Sequence, residues 1–330
     1  MVDLGGKGFG IVLPGKERGF KEGHRYDLAI VGGGPAGLTA AVYAARKNLD
    51  AVLISKDIGG QTLLTSDIEN YMGYQYVSGR ELAAKFEEQV KRYPIDVAVG
   101  EEVARVAPED GGFVVTTSTN REVRARAVIV ATGKRSRPLG VPGERELVGR
   151  GVSYCAVCDA PLFPGKDVIV VGAGNSGATA VVDLLKIARR IYVVDVLPDW
   201  RADPVLVDRI RAAGEMVQPF FGHEVVEIKG ESRVEGIVIK DRGSGQVREL
   251  PVQGVFIEIG LIPNSEPVKG VAELNRWGEI VVDCKCQTSV PGLFAAGDVT
   301  TVPEKQIIIA AGEGAKAALS AYAYLIGQEG

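Results

Sequence analysis

With 330 residues, 46% hydrophobic and 24% charged, the chain is long enough for two domains that each close a core of their own. Its formal net charge of -4 is spread along the sequence without a basic block, which argues against nucleic acid as a partner. No apolar run approaches the roughly eighteen residues of a membrane span, and the opening "MVDLGGKGFGIVLPGKERGFKEGHRYD" lacks the apolar stretch and cleavage site of a secretory signal, so a cytoplasmic location away from membranes is expected.

Residues 1–23 are rich in Gly and Lys, show little periodicity, and read as an extension that is loose or draped over a neighbour. From Tyr26, "YDLAIVGGGPAGLTAAVYAARKNLDAVLIS" predicts a short apolar strand, a glycine turn, a helix and a second apolar strand, a complete βαβ unit. Helical spacing runs from Ser78 to Tyr93, and "GGFVVTTST" and "RAVIVATG" alternate as strands up to Gly133. The prolines and glycines of "RSRPLGVPGE" then have the texture of a linker.

Beyond it, "KDVIVVGAGNSGATAVVDLLKIARRIYVVDV" repeats the strand, turn, helix, strand order of the first unit. The stretch "EVVEIKGESRVEGIVIKDRGSGQVRELPVQGVFIEIG" predicts a three-stranded meander with a hairpin turn at "GSG", and "LIPNSEP" reads as a second linker. The tail ends in an amphipathic helix. The expected fold class is α/β, with two Rossmann-like three-layer nucleotide-binding domains, one inserted into the other. The expected boundaries are an extension at 1–23, outer domain at 24–136 and 265–330, and inserted domain at 137–264.

A GxGxxG turn between a strand and a helix serves either packing or dinucleotide binding. Here Gly32, Gly34 and Gly37 follow the strand "LAIV" directly, with Pro35 and Ala36 opening an alanine-rich helix. The first glycine permits the tight turn, the second lets backbone approach a pyrophosphate, and the third allows close helix packing. Gly172, Gly174 and Gly177 repeat the spacing after "VIVV", with Asn175 and Ser176 between. Two dinucleotides, one per domain, is the economical reading. Asp195 closes the strand "IYVVD", where an acidic residue bonds a ribose hydroxyl and repels a 2′-phosphate, or is simply a solvated strand end. Arg189, Arg190 and Arg201 are the cations nearby in sequence that weigh on the choice between NADH and NADPH.

Four cysteines in two uneven pairs do not make a disulfide scaffold. Structural zinc is disfavoured by the CxC spacing of Cys284 and Cys286 and by the distance of both histidines from either pair; no metal is expected. Cys284 and Cys286 read as buried thiols on one face of a strand. Cys155 and Cys158 form CxxC ahead of the second glycine turn, a redox motif in such a context. Asp159 follows at once, either to exchange a proton with a sulfur or as a turn residue before "APLFPG". A nicotinamide gives up two electrons as hydride and a disulfide accepts two, with a flavin as the usual intermediary, so the first turn is expected to hold FAD. Both the dithiol and the nicotinamide would need that flavin, which implies rotation of the inserted domain about linkers near Arg137 and Pro263.

Together "GGGPAG", "GGQ" at 59–61, "IENY", "ATG", "YCAVCD", "GAGNSG" and "AAGDV" resemble the low-molecular-weight thioredoxin reductase family from about Tyr26 to Gly327. In "CDAPLFPGK", "LNRWGEI" and "AAGDVTTVPEKQIIIAAGEGAKA" the wording is closer still to the flavoprotein subunits of alkyl hydroperoxide reductases. The resemblance implies FAD contacts at the first turn, at Gly59, Gly60 and Gln61, at Asn70, at Thr132 and Gly133, and at Gly297, Asp298, Lys305, Gln306 and Ile307. It puts Asp298 on the ribityl chain and Gln306 near the ring. It assigns Cys158 to the flavin side, Cys155 to exchange with the partner disulfide, and Asp159 as the acid; it also implies a homodimer.

Two departures bear on function. Where NADPH-using relatives carry His-Arg-Arg after the second strand, this chain has "VVDVLPDWRAD", which with Asp195 favours NADH over NADPH. The peroxide reductase flavoproteins carry an additional N-terminal CxxC domain, whereas a short extension stands here, so a separate small dithiol protein is expected to receive the electrons. The expected function is a disulfide reductase acting on a thioredoxin-like, glutaredoxin-like or protein disulfide oxidoreductase partner, with a peroxiredoxin downstream. The rivals are a ferredoxin-dependent reductase, a peroxide-forming NADH oxidase and a flavin redox sensor.

Overall fold

The computed structural model describes residues 19–64 and 68–327, apart from the side chains of Leu64, Val157 and Cys158. Most of the expected extension, residues 1–18, lies outside the described residues. Its remainder is anchored: Phe20 is buried in the core, with the Arg121 guanidinium 3.9 Å from its ring, and the amide of Lys21 donates to the Tyr26 hydroxyl at 2.9 Å. Among the described residues no helix is long and apolar enough to cross a membrane.

The chain opens with β1 (Arg25–Val31), α1 (Pro35–Arg46) and β2 (Ala51–Ser55), followed by α2 (Gly79–Val90), β3 (Asp96–Val99), β4 (Val103–Glu109), β5 (Gly112–Thr117) and β6 (Glu122–Val130). After β7 (Lys134–Ser136) come β8 (Val152–Ser153), the short α3 (Ala156–Asp159), β9 (Asp167–Val171), α4 (Asn175–Leu184), β10 (Arg190–Asp195), α5 (Pro204–Ala212) and β11 (Val217–Phe221). Then follow β12 (His223–Lys229), β13 (Gly236–Asp241), β14 (Val247–Leu250), β15 (Gly254–Ile257), β16 (Leu261–Pro263), β17 (Leu293–Ala295) and α6 (Ile307–Gly327). The chain divides into two compact units: the stretch Arg135–Ile262 forms one, and the described residues up to Leu63, Ile68–Lys134 and from Pro263 onward form the other. The crossings fall at Lys134/Arg135 and Ile262/Pro263, where β7 and β16 pair with each other.

In the discontinuous unit the sheet runs β3-β2-β1-β6-β5-β4, with β17 also beside β6. Strands β3, β2, β1, β6 and β17 are parallel, and the β4–β5 hairpin is antiparallel. Alternation along β1 sends Leu28 and Ile30 to the face covered by α1 and α6, and Ala29 and Val31 to the face shared with Val106 and Val115. Alanines at 40, 41 and 44 of α1 and at 317, 318 and 321 of α6 are buried together; their small side chains let the two helices lie close. Ser78 caps α2 by accepting the Glu81 amide at 3.2 Å.

The continuous unit has a five-stranded parallel sheet, β11-β10-β9-β15-β8. Val168, Val170 and Val193 face the helical layer of α4 and α5, while Ile169, Tyr192 and Val255 face Ile228, Ile237 and Ile239 of the antiparallel β12-β13-β14 meander. The stretch expected to be a three-stranded meander thus holds a fourth strand, β15, which leaves the meander for the parallel sheet. Its run "GVFI" is buried on both faces, as an interior parallel strand requires.

The sequence repeat is a repeat of atomic contacts. The amides of Gly32 and Gly172 each donate to the end of the neighbouring strand, at Ile54 O and Val194 O, both at 2.9 Å. Both have φ well into the positive region, 112° and 116°, and a Cβ on either would lie 2.3 Å from Ala131 O or 2.2 Å from Glu258 O. A Cβ on Gly37 or Gly177 would come within 1.8 or 1.9 Å of Gly32 O or Gly172 O. Gly177→Ala is therefore expected to destabilise its unit by about 2 kcal/mol or more, seen as a fall of at least about 5 °C in thermal midpoint. The same change at Gly174, where a Cβ would meet nothing within 4 Å, should cost far less.

Candidate functional site

The first glycine turn is pinned by the strand beside it. The Gly33 amide donates to Ser55 Oγ at 2.7 Å, Ser55 Oγ donates to Asp57 O at 2.6 Å, and the Gly59 amide donates to Gly33 O at 2.7 Å. These bonds draw the 59–61 segment onto the turn, and a Cβ on Gly60 would lie 3.3 Å from Gly34 Cα. Gln61 Nε2 reaches within 3.9 Å of a Cβ built on Gly133. Thr132 Oγ1 donates to Asn264 O at 2.6 Å, and Asn264 Nδ2 donates to Thr132 O at 2.9 Å. Asn70 Nδ2 donates to Gln306 Oε1 at 3.1 Å, just before Ile307 opens α6. The Gly297 amide donates to Glu313 Oε2 at 2.9 Å, and a Cβ there would lie 3.1 Å from Ala36 Cβ. Gly60 and Gly297 thus approach the turn at Gly34 and Ala36, while Gln61 lies toward Gly133 and Asn70 and Gln306 join each other.

Charge collects beside it. Glu279 pairs with Lys134 at 2.8 Å and with Lys305 at 3.6 Å, and accepts Asn275 Nδ2 at 2.8 Å. Burial opposes its ionisation, yet Lys134 and Asn275 hold its carboxyl below the usual carboxylate range. Lys305 also donates to Thr300 O at 2.6 Å, and burial, with Lys134 near, pulls its ammonium below its ordinary value. Burial pushes the Asp298 carboxyl up, against Lys305 and Lys134. A dinucleotide fits these residues on two counts. Thr62 Oγ1, next to Gln61, is buried without a hydrogen-bond partner, and the middle glycine of the turn is open on its Cβ side.

The second turn has the same pinning by a different residue: the Ala173 amide donates to Asp195 Oδ2 at 2.7 Å, and the Leu197 amide to Asp195 Oδ1 at 2.8 Å. Each carboxylate oxygen therefore has a backbone donor, and Asp195 stands where Ser55 stands in the other unit. Asn175 Oδ1 accepts the Asp203 amide at 2.7 Å, Arg201 donates its amide to Ala173 O at 2.8 Å, and Ser176 is exposed. Of the three arginines expected to weigh on the nucleotide, only Arg201 is at this end. Arg189 is bound through Nε and Nη2 to Asp167 at 2.8 and 2.7 Å, and Arg190 opens β10; both lie at the starts of strands whose carboxyl ends carry the turn.

Cys155 is disulfide-bonded, and the side chain of Cys158 lies outside the described residues. The Cys155 backbone is held on both sides: its amide donates to Ser153 Oγ at 3.0 Å, and the Asp159 amide donates to Cys155 O at 3.2 Å. The Tyr154 hydroxyl donates at 2.6 Å to Glu144, which also accepts the amides of Leu139 and Gly140 at 2.8 and 2.6 Å. Leu162, shortly after Cys158, is 66% exposed. A residue the sequence reading missed is Glu258, just after β15. It is half-buried, at the carboxyl end of that strand. Burial pushes its carboxyl up to about 7; the Ala156 amide opposes this and the Asp183 charge adds to it. The available signal was a carboxylate interrupting "VFIEIG" at the carboxyl end of a parallel strand, where α/β sheets place ligands.

The expectation for Cys284 and Cys286 is corrected. They lie in a turn, where Asp283 Oδ1 accepts the amides of Lys285 and Gln287, both at 2.8 Å, and reverses the chain. Cys284 is exposed; Cys286 is buried at φ 62°, and burial pushes its thiol up to about 12.

The pattern described as pyridine nucleotide-disulphide oxidoreductase matches residues 26–314. The chain belongs to that family. An alkyl hydroperoxide reductase subunit of Escherichia coli (strain K12) is 45% identical over 305 residues, which cover 91% of this chain and 58% of the relative. A protein named NADH dehydrogenase from Ferdinandcohnia aciditolerans is 44% identical over 301 residues, with the same coverage of 91% and 58%. The crystal structure of T. acidophilum thioredoxin reductase matches with a TM-score of 0.78 at 38% identity, over 91% of this chain and 98% of that one. These similarities bear out the resemblance read from the motifs and the two-domain α/β fold; the chain spans about 58% of the curated relatives it matches.

Ser55→Ala leaves the buried Gly33 amide without its acceptor. It should cost about 1 to 3 kcal/mol of stability in chemical unfolding monitored by circular dichroism.

Proposed function

We propose that the chain passes electrons from NADH, through FAD in the discontinuous unit and the Cys155/Cys158 dithiol, to the disulfide of a thioredoxin-like or glutaredoxin-like protein, with a peroxiredoxin downstream. The observation that carries this reading is a disulfide-bonded Cys155 in the same unit as one of two matching dinucleotide turns. Family membership and the thioredoxin reductase neighbour support it. FAD would be held by the first turn with Pro35 and Ala36, by Gly59, Gly60, Gln61, Asn70, Thr132 and Gly133, and by Gly297, Asp298, Lys305, Gln306 and Ile307. When bound, it supplies the means to accept a hydride and hand two electrons to a disulfide.

The remaining chemistry belongs to the chain. With the dithiol reduced, Asp159 takes the proton of Cys155, the thiolate attacks one sulfur of the acceptor disulfide to form a mixed disulfide, and Asp159 returns that proton to the thiolate that leaves. Cys158 then attacks the Cys155 sulfur, which restores the internal disulfide, and its proton passes to the second acceptor sulfur as that leaves. The dithiol loses two electrons and two protons and the acceptor gains both. The inserted unit turns between two positions about β7 and β16 to serve both transfers, and the protein works as a cytoplasmic homodimer.

The second turn, with Gly172, Gly174, Asn175, Ser176 and Gly177, would hold the nicotinamide dinucleotide. Asp195 places a negative charge at its strand end, and Val196 and Leu197 offer no cation after it, which favours NADH over NADPH. The relative named NADH dehydrogenase is consistent with that preference.

Anaerobic stopped-flow mixing tests the reading. NADH should bleach the flavin at least about tenfold faster than NADPH, and a thioredoxin-like disulfide should reoxidise it. Cys155→Ser should keep the bleaching and lose the disulfide-driven reoxidation; full reoxidation in that variant would point to an oxidase instead. Asp195→Ser should narrow the difference between the two nucleotides.

A further inference from the structure

Lysines are seldom buried in folded chains unless they are paired. The discontinuous unit sets two of them against a single carboxylate. The side chains of Lys134, Glu279 and Lys305 are 12%, 16% and 21% exposed, and Glu279 Oε1 lies 2.8 Å from Lys134 Nζ and 3.6 Å from Lys305 Nζ. The carboxylate is aimed by its own turn: Glu279 Oε2 accepts Asn275 Nδ2 at 2.8 Å, and the Glu279 amide donates to Asn275 Oδ1 at 2.9 Å. Lys305 is held further by donating to Thr300 O at 2.6 Å.

Stability alone does not account for this group. Two ions taken out of water stabilise a fold little, because desolvation offsets their attraction, and a third charge without a second counter-ion adds cost. Position supplies a reason. Lys134 follows Gly133 and lies shortly after Ala131, whose carbonyl stands against the first glycine of the turn; Lys305 precedes Gln306, which accepts Asn70 Nδ2 at 3.1 Å. Both ammonium groups are therefore carried by segments read as part of the FAD site.

We propose that Glu279 is a positioning residue for electron transfer: it fixes Lys134 and Lys305 at the flavin site and, as the carboxylate they share, sets the positive charge available to a flavin that has received a hydride. This deepens the proposed function and rests on the reading that the first turn holds FAD; neither Glu279 nor Lys134 is among the contacts named for that cofactor.

The sign follows from the charges. A hydride carries two electrons and one proton, so its acceptor gains one negative charge while the nicotinamide that gives it up becomes a cation. Positive charge fixed nearby favours the reduced flavin and raises its midpoint potential, and negative charge lowers it. The other acid that feels these lysines is Asp298, where burial pushes the carboxyl up against the pull of Lys305 and Lys134. It is kept in every variant below, so the changes at Glu279 and Lys134 are read against a constant neighbour.

The test uses the full-length chain with FAD bound and with Cys155→Ser and Cys158→Ser, so that the flavin is the sole two-electron acceptor. Its midpoint potential is measured without oxygen, at one fixed pH, by equilibration with a reference dye. Glu279→Gln keeps an oxygen for Asn275 and removes the negative charge. It should raise the potential, lowering the oxidised-to-reduced ratio at a given potential by about three- to tenfold, or about 14 to 30 mV for a two-electron couple. Lys134→Met removes a positive charge and should lower the potential by a similar factor. The two changes together should return the potential close to that of the parent, whereas a loss of packing does not produce shifts of opposite sign that cancel. Lys134→Met decides the matter should the Glu279→Gln variant fail to fold.

An unmoved potential in either single variant would overturn the inference, as would shifts of one sign in both or a double variant that keeps a full shift. Failure of the parent reading is distinct. The purified chain would then take up no FAD, or NADH would fail to bleach it, and the inference would fall with that reading.

Discussion

Each nucleotide-binding half depends on one close approach: the carbonyl of the turn's first glycine lies where a side chain on the third would begin, within 1.8 Å in one unit and 1.9 Å in the other. That contact draws the start of the helix against the end of the strand. Two further bonds fix the turn between neighbouring strands, one from the first glycine to the strand beside it and one from the following residue to a strand-end side chain. Once these are made, the Cβ side of the middle glycine is left open. The surface on which a dinucleotide can lie is thus a by-product of packing, and any side chain on the first or third glycine would move it.

Within this shared frame the units differ in charge. The discontinuous unit ends its second strand with Ser55 and follows its sixth with Ala131, both neutral, and concentrates charge in the Lys134–Glu279–Lys305 group. The continuous unit replaces the serine with Asp195 and the alanine with Glu258. Asp195 does the serine's backbone work while adding a negative charge at the mouth of the turn. A single aspartate thus holds two backbone amides, and each oxygen retains a lone pair after accepting one of them.

Much of this was legible in sequence because the signals were local. Both turns show a fixed glycine spacing directly after a buried parallel strand, and the linkers carry their own prolines and glycines. What escaped notice depended on contacts between distant segments. Strand β15 reads as a continuation of the meander before it, since an apolar run does not reveal which sheet it joins. Cys284 and Cys286 read as strand residues because the reversal comes from the Asp283 carboxylate capturing two amides. Arg189 and Arg190 are near the second turn in sequence but at the other end of β10 from Asp195, so a salt bridge to Asp167 at the opposite sheet end was not visible. Glu258 was hidden because a single acid in an apolar run does not reveal how the fold surrounds it; burial there pushes its carboxyl up to about 7.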